Sequence, residues 1–195
     1  MTDFLVKCFV KDHDKTEDPQ VRTRYGILAS IVGICCNLLL FASKLFIGVL
    51  VNSVSVMADA FNNLSDAASS IIGFIGVRMA GKPADSDHPF GHGRIEYISA
   101  FIVAFLVIQV GFSLFKTSLG KVLHPEEVYF KWISVLILLI SVGVKFWLSL
   151  FNRKLGNRIN SKVMEATAAD AMGDVMTTSA AILSLLALKY LNWNI

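Results

Sequence analysis

The chain has 195 residues, 54% of them hydrophobic and only 17% charged, with a net charge of +3. A soluble domain carries about a quarter charged residues, and several apolar runs here reach the ~20 residues that span a bilayer, so an ordinary soluble fold is excluded. The three cysteines, Cys8, Cys35 and Cys36, form no CxxC or Cys/His cluster, which speaks against a thiolate metal site.

Residues 1–24 are too polar, and "FLVKCFV" too short, for a cleaved signal peptide; they are expected to form a cytoplasmic N-terminal segment. Five candidate spans follow, at residues 25–50, 54–77, 95–115, 128–151 and 163–188. At about 1.5 Å per residue each crosses a core of about 30 Å. Backbone groups in lipid must satisfy one another, so each span is predicted to be helical. The expected fold is an all-α integral membrane bundle with five transmembrane helices. Residues 25–195 form its membrane domain, and the location is the cell membrane. Spans two and five are rich in Ala, Ser, Gly and Thr, which suits a bundle interior.

Basic residues orient the bundle. Lys7, Lys11, Lys15, Arg22 and Arg24 precede span one; Arg78, Lys82 and Arg94 link spans two and three; Arg153, Lys154, Arg158 and Lys162 link four and five. The link between one and two has no basic residue, and Glu126 and Glu127 offset Lys116, Lys121 and Lys131 between three and four. The positive-inside rule places the N-terminus in the cytoplasm, and five spans put the C-terminus outside.

Span two carries "FNNLSDAASS" at residues 61–70, and span five carries "AADAMGDVMTT" at residues 168–178. A carboxylate at the bilayer centre costs roughly 2.5–3.5 kcal/mol, so these groups require compensation by protons, lysines or a cation. Asn62 and Asp66 are four apart and share a helix face, as do Asp170 and Asp174; Asp59, three before Asn62, joins the first stripe. Asp66 lies twelve residues before Arg78 (78 − 66) and Asp174 twelve after Lys162 (174 − 162). Both therefore sit about 18 Å from a cytoplasmic marker, and antiparallel helices can bring them together. The set offers only oxygen ligands, which suit Mn²⁺, Mg²⁺ or Ca²⁺ better than Zn²⁺. Three carboxylates exceed the charge of a divalent ion, which favours proton exchange at the site. The competing reading is structural, with the carboxylates paired to Lys44 and Lys145, the two lysines inside spans.

The loop "GKPADSDHPFGHGRIEY" at residues 81–97 holds Asp85, Asp87, His88 and His92. Asp85, His88 and His92 have the spacing of a surface metal site, but solvated Asp/His loops without metal are as common. Gly91 and Gly93 are expected to ease a tight turn into span three.

"NSVSVMADAFNNLSDAASS" (52–70), "HPFGHGRIEYISA" (88–100) and "DAMGDV" (170–175) together resemble the cation diffusion facilitator family, proton-coupled exporters of divalent metals. The resemblance runs from about residue 20 to the end. It implies a transport site at Asn62, Asp66, Asp170 and Asp174, a homodimer, and a second metal site at Asp85, His88 and His92. The Asn-Asp and Asp-Asp pairs, without histidine, resemble the bacterial manganese-exporting branch, with Fe²⁺, Co²⁺ and Zn²⁺ as alternative cargo. Family members usually continue into a sixth helix and a cytoplasmic domain, so a fragment or a truncated paralogue is expected. The expected activity is Mn²⁺ export by proton antiport, not enzymatic catalysis. The partners are divalent metal, protons and lipid, with no cofactor and no nucleic acid. A non-transporting fragment or accessory subunit is the first alternative. A Mg²⁺-dependent intramembrane prenyltransferase is the remote one; its usual third acidic position is Ser70 here.

Overall fold

The computed structural model describes residues 2–50, 54–86, 88–123 and 132–191. Asp87 and residues 128–131 of the fourth predicted span lie outside them, as do Glu126 and Glu127. The elements are α1 (Thr2–Phe9), α2 (Pro19–Leu50), α3 (Val54–Ala80), α4 (Arg94–Leu123), α5 (Trp132–Ile159) and α6 (Lys162–Leu191). The long helices α2 to α6 follow the five predicted spans. Pro19–Leu50, Arg94–Ser113 and Trp132–Ile159 are long and apolar enough to cross a membrane on composition alone. The other two, α3 and α6, carry Asp59, Asp66, Asp170 and Asp174, which lower their hydropathy. On α4, Phe101, Phe105, Ile108, Phe112 and Phe115 form an exposed stripe. Its spacing is that of one helix face, and such an apolar surface is stable against lipid rather than water.

Two features go beyond the sequence reading. The N-terminal segment contains a short helix, α1, docked on the bundle. Val6 and Val10, one helical turn apart, are buried against Val21, Tyr25 and Leu28 of α2 and Leu148, Phe151 and Leu155 of α5. Asp3 anchors the same helix, with Lys154 Nζ and Arg158 Nη2 donating to its carboxylate at 2.6 and 2.8 Å. Asp18 then caps α2, accepting from the Gln20 N–H at 2.8 Å, with Pro19 at the first helical position, where its missing N–H costs nothing. The second concerns the basic link between spans four and five. Arg153, Lys154 and Arg158 are helical, because α5 runs on past the apolar run. The chain reverses in two residues: Asn160 takes φ 51° and the Ser161 N–H donates to Gly156 O at 3.0 Å, the left-handed closure that ends many helices.

Helices α2 and α3 pack antiparallel along their length. A Cβ on Gly26 would come 2.2 Å from Val77 Cγ1, one on Gly33 2.9 Å from Ser70 Oγ and one on Gly48 2.7 Å from Met57 Cγ. Between them the Phe41 and Phe61 rings lie 5.8 Å apart, and Lys44 Nζ is 2.8 Å from Asp59 Oδ2. Ser149 Oγ donates to Ala168 O at 2.7 Å and registers α5 on α6. The basic termini of the helices gather at one end, where Arg22 approaches Glu96 at 3.6 Å and α1 closes over the α5–α6 turn.

Candidate metal centre

The two polar stripes meet through a third helix. Lys145, buried on α5, donates from Nζ to Asp66 Oδ2 at 2.5 Å and to Asp174 Oδ2 at 2.6 Å. One ammonium thus brings together a carboxylate of α3 and a carboxylate of α6. Asp170 lies one helical turn before Asp174 on the same face of α6. Asn62 and Asp170 are half-buried. Of the two adjacent amides, Asn63 is committed to its own helix, donating to Asp59 O at 2.9 Å, and Asn62 lies on the Asp66 face.

The structural partners named from sequence are both present. Lys44 and Asp59 pair across α2 and α3, apart from the Lys145 group. Lys145 serves both stripes at once. Sequence reasoning missed Asn37. The rungs Gly33–Ser70 and Phe41–Phe61 bracket it, and place it on the α3-facing stripe of α2 at the level of Asp66. It is buried, and its Oδ1 has no hydrogen-bond partner. The available signal was a lone amide inside an apolar run, with no second polar residue one turn away to mark a stripe.

The second candidate lies in the α3–α4 loop. Ligand atoms of Asp85, His88 and His92 all fall within 4.8 Å of one another, and among the described residues they are the one acidic or imidazole trio to converge in this way. Asp85 Oδ1 accepts the His88 N–H at 2.7 Å, His88 Nδ1 lies 3.3 Å from the same oxygen, and His92 Nε2 lies 3.5 Å from Oδ2. The His88 N–H holds the Asp85 carboxyl below its ordinary pKa, helped by the imidazoles of His88 and His92. The other His92 nitrogen, Nδ1, is 3.2 Å from Pro83 O, a contact that fixes the ring as a backbone carbonyl does behind many metal-binding imidazoles. Gly91 takes φ 76°, as the predicted turn requires; Gly93 does not adopt a left-handed conformation.

The profile of the cation efflux transmembrane domain matches residues 30–195. The chain belongs to the cation efflux family, the cation diffusion facilitators. It is 31% identical over 164 residues to an uncharacterized transporter of Methanocaldococcus jannaschii, covering 84% of this chain and 57% of that protein. It is 33% identical over 172 residues to the manganese efflux system protein MneP of Bacillus subtilis, covering 88% and 56%. It is 29% identical over 173 residues to the cation-efflux pump FieF of Klebsiella pneumoniae, covering 87% and 57%. The chain therefore spans little more than half the length of these cation diffusion facilitators. Family membership makes it an integral membrane protein of the cation efflux class.

Proposed function

We propose that the protein moves a divalent metal ion, Mn²⁺ first, out of the cytoplasm in exchange for protons, with Asn62, Asp66, Asp170 and Asp174 as the transport site. The observation that carries this reading is the meeting of the α3 and α6 stripes at Lys145. Two helices separated by about a hundred residues of chain direct hard oxygen ligands to one depth in the bundle, and such ligands suit Mn²⁺. The similarity to MneP supports the choice of metal. Gathering of the basic residues at one end of the bundle supports a cytoplasmic N-terminus. Asp85, His88 and His92 supply a second, surface metal site in this reading, and the working unit is a homodimer.

The decisive experiment expresses the full-length protein in manganese-sensitive cells. Asp66→Ala and Asp174→Ala abolish protection. Protection equal to wild type in both variants would leave the carboxylates as structural partners of Lys145, the second reading that the same ion pairs support. Asn62→His tests cargo choice, because it adds imidazole ligation; metal preference shifts towards Zn²⁺. Loss of bound metal in the double variant His88→Ala/His92→Ala, with Asp66 and Asp174 intact, tests the loop site.

A further inference from the structure

Lys145 Nζ stands 2.5 and 2.6 Å from one oxygen of each of two carboxylates. Hard divalent ions sit about 2.0–2.6 Å from carboxylate oxygens. The ammonium therefore occupies the point that an ion bridging Asp66 and Asp174 needs, and ion and ammonium exclude each other there. Lysine is suited to such an exchange, being a compact point charge on a flexible four-carbon stem. Arginine, with a planar fork that grips carboxylates bidentately, is not.

We infer that Lys145 is a tethered competitor for the transported ion, a resident cation that holds Asp66 and Asp174 in register and gives up its place to the metal. The inference rests on the transport-site reading above. Its consequence is electrostatic. The three carboxylates Asp66, Asp170 and Asp174 (−3) and Lys145 (+1) sum to −2, the charge a divalent ion neutralises, provided Lys145 leaves the shared point but stays in the bundle. The four-carbon stem of Lys145 is what keeps the displaced ammonium in the bundle. The competitor weakens binding, and an exporter has to release its cargo as well as capture it. A lysine with a purely packing role would have the opposite signature, because its loss would damage the site.

The test is Mn²⁺ binding to the purified full-length protein at pH 8, by titration calorimetry. Lys145→Met, which keeps the stem and removes the charge, binds Mn²⁺ at least about tenfold more tightly. Lys145→Arg, which keeps the charge and strengthens the grip on both carboxylates, binds at least about fivefold more weakly. Unchanged or weaker binding by a folded Lys145→Met protein overturns the inference. If that variant does not fold, Lys145→Arg decides, and binding equal to or tighter than wild type overturns it. Asp66→Asn and Asp174→Asn run beside these. If both retain wild-type binding, the transport-site reading falls and takes the inference with it. If both lose binding while Lys145→Met leaves affinity unchanged, the inference alone fails.

Discussion

Replacing Asp66 by asparagine has opposite effects on stability depending on what stands at position 145. In the wild-type background the substitution removes a charge-assisted hydrogen bond, a loss of about 1.5–3 kcal/mol. For a domain of this size that lowers the melting temperature by about 3–12 °C. Lys145 keeps Asp174, so the ammonium is not stranded. With Lys145→Met, Asp66 and Asp174 face each other without a cation, and a buried group deprived of its partner costs about 3–5 kcal/mol. Asp66→Asn in that background removes one of the two stranded charges and raises the melting temperature. The cycle of wild type, two single variants and the double variant is measured by thermal unfolding in detergent with a chelator present, so that no metal contributes. A coupling of about 3 kcal/mol is the upper end of what contacting residues show. Destabilisation by Asp66→Asn in both backgrounds, with additive effects, would mean that Lys145 does not bridge the two carboxylates.

Three further outcomes follow from other parts of the bundle. Val6 is 0% exposed, so Val6→Ala weakens the docking of α1 by about 1.6 kcal/mol, two methyl groups at about 0.8 each. Trypsin cleavage after Lys7 then rises roughly fifteenfold, and an unchanged rate would mean that α1 is not held by this contact. Lys154, and after it Arg158, hold the Asp3 carboxyl below its ordinary pKa. A depressed carboxylate contributes fully above its unfolded value and loses that contribution as pH falls through the folded value. Cleavage at Lys7, followed with an acid-active protease, is therefore constant above about pH 4 and climbs below it, and Asp3→Asn abolishes the climb. Asn37→Leu replaces a buried amide with an unpartnered oxygen by a side chain of similar size, relieving about 1–3 kcal/mol; its melting temperature equals or exceeds wild type, and a fall would show that Asn37 has a partner in the folded protein.

The five long helices were legible because a bilayer imposes a length, and runs of that length stand out in a sequence. Their ends were less so. Helix α2 starts at Pro19 rather than residue 25 because Asp18 caps it, a signal independent of hydropathy. Arg153, Lys154 and Arg158 read as a link because the apolar run ends at residue 151, whereas α5 continues to Ile159. Helix α1 was missed because eight residues are too few for a span, although Val6 and Val10 at i and i+4 carry the pattern of a docked turn. In the candidate centre, spacing and depth alone paired Asp66 with Asp174. Lys145 was legible as a partner for the carboxylates, but that it bridges both stripes was not, since that depends on which face α5 turns inward. Asn37 depends in the same way on the α2–α3 register, which close glycine contacts set.

The two-residue turn at Asn160 and Ser161 gives the centre a mechanical character. With so short a tether and Ser149 bonded to Ala168, α5 and α6 form one arm, and Lys145 and Asp174 travel together on it. Asp66 belongs to the other arm, interlocked with α2 from Gly26 to Gly48. The seam between the arms passes between Asp66 and Lys145, so the two bonds of one ammonium differ in kind: that to Asp174 lies within an arm, and that to Asp66 fastens one arm to the other.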